Sequence, residues 1–330
     1  MRSQRRQGLR WPNRDHRGLA EYTCLTAYVI NRIGLTLPVL IGVSILVFAM
    51  SHLVPGDPVS VMLGERATAA DVQRLREQLG LDRPLYVQYL EFATRALQGD
   101  LGTSIRTGRP VLQEIAEQFP ATLTLTLSAS VLAAIVGILT GTLAATGRGS
   151  ALDGVLMALV MLGVSTPTFF SGLLLIIVFA LYLNWLPVAT GQGIAPLVLP
   201  STALALPAAA VLARVTRSSL LEELGKDYVR TALAKGLKRP SVVVRHIWKN
   251  AFIPVVTIIG LQFGGLMAGA VIVESVFARP GLGRYTIGAI NSRDFPQIQG
   301  TVLVVATVYV LVNLVVDLVY AALDPRIRYR

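Results

Sequence analysis

GVLMALVMLGVSTPTFFSGLLLIIVFALYLNWLPVATGQGIAPLVLPSTALALPAAAVLA, residues 154–213, contains no Asp, Glu, Lys or Arg. A helix needs roughly 20 apolar residues to cross the hydrocarbon core of a bilayer. The run is too long for one crossing. Residues 184–196, NWLPVATGQGIAP, interrupt it with Asn, Gly and Pro, which are turn residues. Two membrane helices joined by a turn are predicted here.

Four more charge-free runs lie outside this one, between Arg32 and Asp57, Glu117 and Arg148, Lys249 and Glu274, and Asp294 and Asp317. Each fits one crossing, so the fold class is an all-α membrane protein with six transmembrane helices. Composition agrees. The chain has 330 residues, 53% hydrophobic and 15% charged, with mean hydropathy +0.59. Soluble domains are nearer a quarter charged. The single cysteine, Cys24, excludes an internal disulfide framework. His16, His52 and His246 are far apart and form no metal motif.

The net charge of +11 has a place in this topology. Residues 1–32 hold seven Arg against Asp15 and Glu21, residues 214–250 hold nine Lys/Arg, and the chain ends PRIRYR. Six crossings put all three on one side, which the positive-inside rule makes cytoplasmic. Scattered between spans, these basic residues do not form a nucleic-acid surface. Residues 52–118, with seven Arg and nine acidic residues, then lie outside. The boundaries expected are a flexible basic cytoplasmic extension over 1–27, a first span over 28–56, an extracytoplasmic segment over 57–117, and a five-helix core over 118–330. The first span resembles a signal peptide in its basic flank, but its apolar run is longer than an h-region and no A-x-A site follows. It ends HLVPGDP, a helix stop.

Between spans four and five lies DYVRTALAKGLKRPSVVVRHIWKNAFIPVV, residues 227–256. Val229, Ala232, Leu233, Gly236 and Leu237 recur at i, i+3, i+4, i+7 and i+8, one helical stripe, with Arg230, Lys235 and Lys238 off it. Pro240 ends this helix. Two readings fit such a helix: an amphipathic helix resting on anionic lipid, or a docking helix for a cytoplasmic partner.

The stretch DYVRTALAKGLK…RHIWKNAFIPVVTIIGLQFG resembles the cytoplasmic signature of bacterial ABC importer permeases, in which EAA is followed by three residues, a Gly and a later Pro. Arg230-Thr231-Ala232 stands in the EAA position, Gly236 matches the Gly and Pro254 the Pro. The missing Glu and the longer Gly-to-Pro interval resemble the dipeptide/oligopeptide branch. Leu233 departs from the Arg usual there. HLVPGDP, LGLDRPLYVQY, GDLGTSI, STPTF, ARVTRSSLLEEL and ESVFARPGLGRY follow in the family's order, leaving only residues 1–27 outside the resemblance.

The resemblance implies a type I importer permease fold and half of a translocation path for di- or oligopeptides; nickel or glutathione are the alternatives. It implies a second permease subunit, ABC ATPase subunits that bind ATP and Mg, and an extracytoplasmic binding protein. This chain has no G-x-x-x-x-G-K-[ST] to hold ATP phosphates. It is therefore expected to bind no cofactor or metal and to catalyse nothing itself. The coupling helix implied comprises Asp227, Tyr228, Val229, Arg230, Thr231, Ala232, Leu233, Lys235, Gly236 and Leu237, with the apolar stripe as its contact surface. Ala232 and Gly236 would admit a close backbone, so a bulky residue at Gly236 is expected to break coupling.

Polar residues within spans are costly in lipid and are candidates for function. Thr126, Gln262 and Asn313 are the candidate path residues, and Arg279, Pro280, Arg284, Arg293 and Asp294 the candidate docking residues for the binding protein. Asp317 lies close to a membrane edge. A secondary transporter would carry intramembrane ionisable groups and internal repeats, of which there is little sign. A membrane enzyme would need a catalytic constellation, and none is present.

Overall fold

A computed structural model describes residues 14–53, 68–78, 80, 82–188 and 193–323. The tail PRIRYR, the Pro-Gly-Asp-Pro helix stop and part of the 184–196 turn fall outside these. The described residues are helical, apart from short turns and one isolated bridge between Thr103 and Pro110.

Helix α1 spans Arg14–Leu53. It therefore includes residues 14–27, expected to be an irregular extension. Elongating an existing helix fixes one residue per hydrogen bond gained, so a long span readily propagates into its polar flank. After α2 (Ala69–Gln78), α3 (Leu85–Leu97) folds back on α1. Phe48 meets Tyr89 edge-on, and Ser44 and Tyr89 share a hydrogen bond of 2.9 Å. Helix α4 (Val111–Thr146) begins ahead of the expected boundary at 118. Pro110 starts it, where a missing N–H costs nothing, and Arg109 pairs with Glu117 two turns into it.

The expected third span is two helices. α5 (Ala151–Ser165) and α6 (Thr168–Leu175, extended by wider π-helical turns over Ile176–Tyr182) meet at 108°. Pro167 lacks an N–H and its ring opposes the carbonyl four residues back, so the helix stops before it. Among the described residues five helices are thus long and apolar enough to cross a membrane, and the bent pair makes a sixth if it counts as one span.

α7 (Ala195–Leu224) is the central helix and packs most extensively on α4. Ala129, Ala133, Gly137, Gly141 and Ala145 repeat every four residues along α4, and all are buried. A Cβ on Gly137 would lie 2.7 Å from the Ala209 carbonyl oxygen, and one on Gly141 2.5 Å from that of Ala213. This small-residue stripe lets two backbones approach closely, which is how helices gain packing energy in lipid. α10 (Trp248–Val276) completes the core with Val255, Ala270 and Val273. It is entered from α8 (Asp227–Ala234) through α9 (Arg239–Val242) and a π-helical stretch, Val243–Ile247. The short α11 (Leu282–Ser292) then leads to α12 (Phe295–Leu323). α12 lies against α10 where Gly260 faces Val316 and Gly264 faces Tyr309. It also packs on α1, where Arg32 Nε is 3.2 Å from Asp317 Oδ2.

Candidate coupling site

The molecule has two ends of opposite construction, and α8 marks one. Asp227 sits in its first turn, where a carboxylate favours the helix dipole. Its last turn closes with Gly236 N–H donating to the Leu233 carbonyl (2.9 Å) and Leu237 N–H to the Ala232 carbonyl (3.3 Å), a Schellman stop. Gly236 has φ +81°, a left-handed conformation that side chains disfavour. Among the described residues nothing lies within 4 Å of where its Cβ would be, so the glycine serves the helix stop and no close-packed backbone among them requires it.

Val229, Ala232 and Leu233 of the α8 stripe face the chain itself, while Gly236 and Leu237 are exposed. Val229 is 3% exposed in a cluster with Leu220, Val242, Ile247, Ala251 and Ala145; Ala232 and Leu233 pack at its margin. These three residues of the stripe expected as the contact surface therefore anchor the helix instead. Periodicity shows that a face is apolar without showing what covers it. A polar brace adds to this anchor. Glu223, at the end of α7, accepts from the Tyr228 hydroxyl at 2.6 Å and pairs with Lys226. Burial and that hydrogen bond raise the Tyr228 pKa, and the Glu223 hydrogen bond raises that of Lys226. The outward face consists of Asp227, Arg230, Thr231, Ala234 and Lys235, all exposed, with Leu237 beside them. Arg230 reaches Asp227 at 3.6 Å across the helix, a solvent-exposed pair worth little by itself.

Beside this end, Arg217 of α7 makes two 2.8 Å hydrogen bonds to Asp153 of α5. Asp153 also accepts from Gly149 N–H, while Ser150 caps its own N–H. No sequence signal had marked this pair.

At the opposite end, Glu274 is fully buried. It accepts from the Thr122 hydroxyl (2.6 Å) and the Gly283 N–H (2.7 Å), and Thr122 in turn accepts from Leu282 N–H (2.8 Å). The start of α11 is thus capped by a carboxylate from another helix. Gly281 and Gly283 make room, since a Cβ on either would fall within 2.3 Å of Glu274 or Val271. Asp294 is 1% exposed and accepts from the Ser104 hydroxyl (2.6 Å) and the Arg106 N–H (3.1 Å). It also accepts from Gln297 N–H (3.2 Å), capping α12. Asp294, expected on a docking surface, is an internal tie because its neighbours consume its lone pairs. Arg279 is half-buried, whereas Pro280, Arg284 and Arg293 are exposed.

Of the candidate path residues, Thr126 is fully buried and donates to the Thr122 carbonyl at 2.8 Å. It satisfies its own helix and lines no path. Gln262 and Asn313 are half-buried, and the Gly260–Val316 and Gly264–Tyr309 contacts set them at one level of the α10–α12 pair. The Gln262 side-chain N–H groups have no partner among the described residues.

Residues 137–329 match the family model of the binding-protein-dependent transport system inner membrane component, and residues 25–126 match that family's N-terminal model. The chain belongs to this family. The permease is 45% identical over 303 residues to the glutathione transport system permease protein GsiC of Salmonella choleraesuis (strain SC-B67), covering 92% of this chain and 99% of the relative. The same values hold for GsiC of Escherichia coli (strain K12). Among solved structures, the inward-facing MetNI methionine ABC transporter matches with TM-scores of 0.54 and 0.52 in two crystal forms. Each shares 21% identity and covers 64% of this chain and 97% of that one. That likeness gives the fold, a type I importer permease. The permease is accordingly a multi-pass inner-membrane subunit of an ABC importer, of the peptide, nickel and glutathione branch.

Proposed function

We propose that this permease forms half of the path for glutathione or a short peptide of similar size and charge. The supporting observation is the 45% identity to GsiC across 99% of that relative's length. Di- and oligopeptides are the second reading, favoured by the RTALAKG segment at 230–236. Energy comes from partner ATPase subunits that bind ATP and Mg, and substrate from an extracytoplasmic binding protein. The outward face of α8, with the small residues Thr231 and Ala234 between Arg230 and Asp227, suits a groove on the ATPase. The basic residues around it favour the cytoplasmic side for this end and for both termini. The α11 end then faces outward, with exposed Pro280 and Arg293 available to the binding protein. Gln262 and Asn313, level on α10 and α12, are the path candidates that remain, beside a second permease subunit.

The test is ATP-dependent uptake by the complex co-expressed from this chain, its partner permease, the ATPase and the binding protein, reconstituted in vesicles. Saturable uptake of labelled glutathione, exceeding that of dipeptides and of nickel, is expected. Uptake of peptides alone would establish the second reading.

A further inference from the structure

At the α11 end, the loop before α4, the start of α4, the first turns of α11 and the start of α12 enclose a cleft of about 410 Å³. Arg106, Thr107, Gln118, Arg284, Tyr285 and Gln297 line it. Every carboxylate beneath or beside it is already engaged. Glu114 accepts from the Tyr285 hydroxyl at 2.6 Å, Glu117 pairs with Arg109, and Glu274 and Asp294 are sealed by hydroxyl and backbone donors. Burial and the Glu114 contact raise the Tyr285 pKa, so this phenol stays neutral. Among the described residues the guanidinium of neither Arg106 nor Arg284 pairs with a carboxylate; that of Arg284 donates to the Ala278 carbonyl, at 2.6 Å, while its backbone N–H is 3.4 Å from Glu274.

The cleft is therefore a concave surface bearing two unneutralised guanidinium groups, with two side-chain amides beside them. Its volume lies within the roughly 300–1,000 Å³ of small-molecule sites. Guanidinium is the group best shaped to take a carboxylate through two parallel hydrogen bonds. Amides of Gln suit peptide N–H and C=O groups. We propose that this cleft is an entry site that receives substrate carboxylates through Arg106 and Arg284, with Gln118 and Gln297 pairing to the peptide groups between them. It rests on the substrate class and orientation proposed above. Glutathione carries two carboxylates separated by two amides, a pattern that this donor set matches.

The experiment uses the complete complex in phosphatidylcholine nanodiscs or vesicles, which offer no anionic headgroup, with saturating binding protein. Uptake of glutathione is compared with uptake of its glycine ethyl ester, which has one carboxylate fewer. Since the binding protein is the same throughout, a changed acid-to-ester ratio reports on the permease. Arg106→Gln is expected to lower that ratio about tenfold, the effect of losing one charge-assisted hydrogen-bonded contact, and Arg106→Lys, which keeps the charge but not the fork, to restore it only in part. Arg284→Gln should act alike, but its backbone bond to Ala278 makes Arg106 the deciding position. An unchanged ratio overturns the proposal. So does a loss of docking by substrate-free binding protein at constant ratio, which would assign the arginines to that protein's acidic residues. If the wild-type complex carries dipeptides and not glutathione, the substrate reading fails separately. The same ratio is then measured with a dipeptide and its C-terminal amide.

Discussion

The two ends of this permease are held by different means. At the α11 end, two buried carboxylates tie together segments distant in sequence: Glu274 to Thr122 and the start of α11, Asp294 to the Ser104–Arg106 loop. At the α8 end, one short helix sits on a small apolar cluster and a single brace at Glu223. A buried polar group is costly to orphan, by roughly 1–3 kcal/mol each, so the first arrangement resists displacement. A small apolar contact has no such all-or-none geometry. The α11 end is built as a fixed frame, and the α8 end as a light attachment on an apolar cluster with one polar brace.

The largest expected effect is at the frame. Glu274→Ala leaves the Gly283 N–H and the Thr122 hydroxyl without their acceptor and empties a packed site. About 3 kcal/mol of stability should be lost, read as a lowered thermal midpoint of the purified permease in detergent. Gly283→Ala should act in the same direction, because its Cβ would lie 2.3 Å from Val271 Cα. If neither shifts the melt more than a change on α8 does, the contrast between the ends is wrong.

Next comes the pair that fastens α5 to α7. Asp153 is 6% exposed and takes two hydrogen bonds from Arg217. Removing either partner should cost about 2 kcal/mol, and the double variant little more than either single one. A double-mutant cycle by thermal unfolding measures this. Additive losses would show that each residue is held by something other than its partner.

How much of this was legible in the sequence differs between the same two regions. The crossings were readable from charge-free runs, because hydrocarbon excludes charge regardless of tertiary detail. The existence and start of α8 were readable from its stripe, whereas its end was not: the helix expected to run on to Pro240 stops at Ala234, with Gly236 in the left-handed stop. Which way the stripe faces was not, since the covering residues Leu220, Val242 and Ile247 come from other elements. The roles of Glu274 and Asp294 were hidden for the same reason, as their partners lie more than 150 residues away. One signal was available and unread: the four-residue spacing of Ala129, Ala133, Gly137, Gly141 and Ala145 marks the tight crossing of α4 on α7.

Gly236 separates a local stop from a close contact. If its positive φ is what matters, Gly236→Ala and Gly236→Leu should cost about the same, roughly 1 kcal/mol, while Gly236→Asn costs less because Asn tolerates that conformation. The measurement is the thermal midpoint of the permease alone. A Leu variant far less stable than Ala would show a neighbour at a position that the structure leaves open.

The smallest effect on stability should come from the outward face of α8, and it bears most directly on function. Arg230 and Ala234 are exposed, so Arg230→Ala and Ala234→Leu should change stability by no more than about 0.5 kcal/mol. Val229→Ala removes two methyl groups from a buried cluster and should cost about 1–2 kcal/mol. Co-purification of the ATPase should show the reverse order. It should fall sharply with Ala234→Leu, whose added bulk stands in the middle of the proposed contact, and only modestly with Val229→Ala, which loosens the helix without altering the surface it presents. Equal losses would mean that the partner recognises the position of α8 as much as its outward side chains, and the inward stripe would then share in coupling through the anchor it provides.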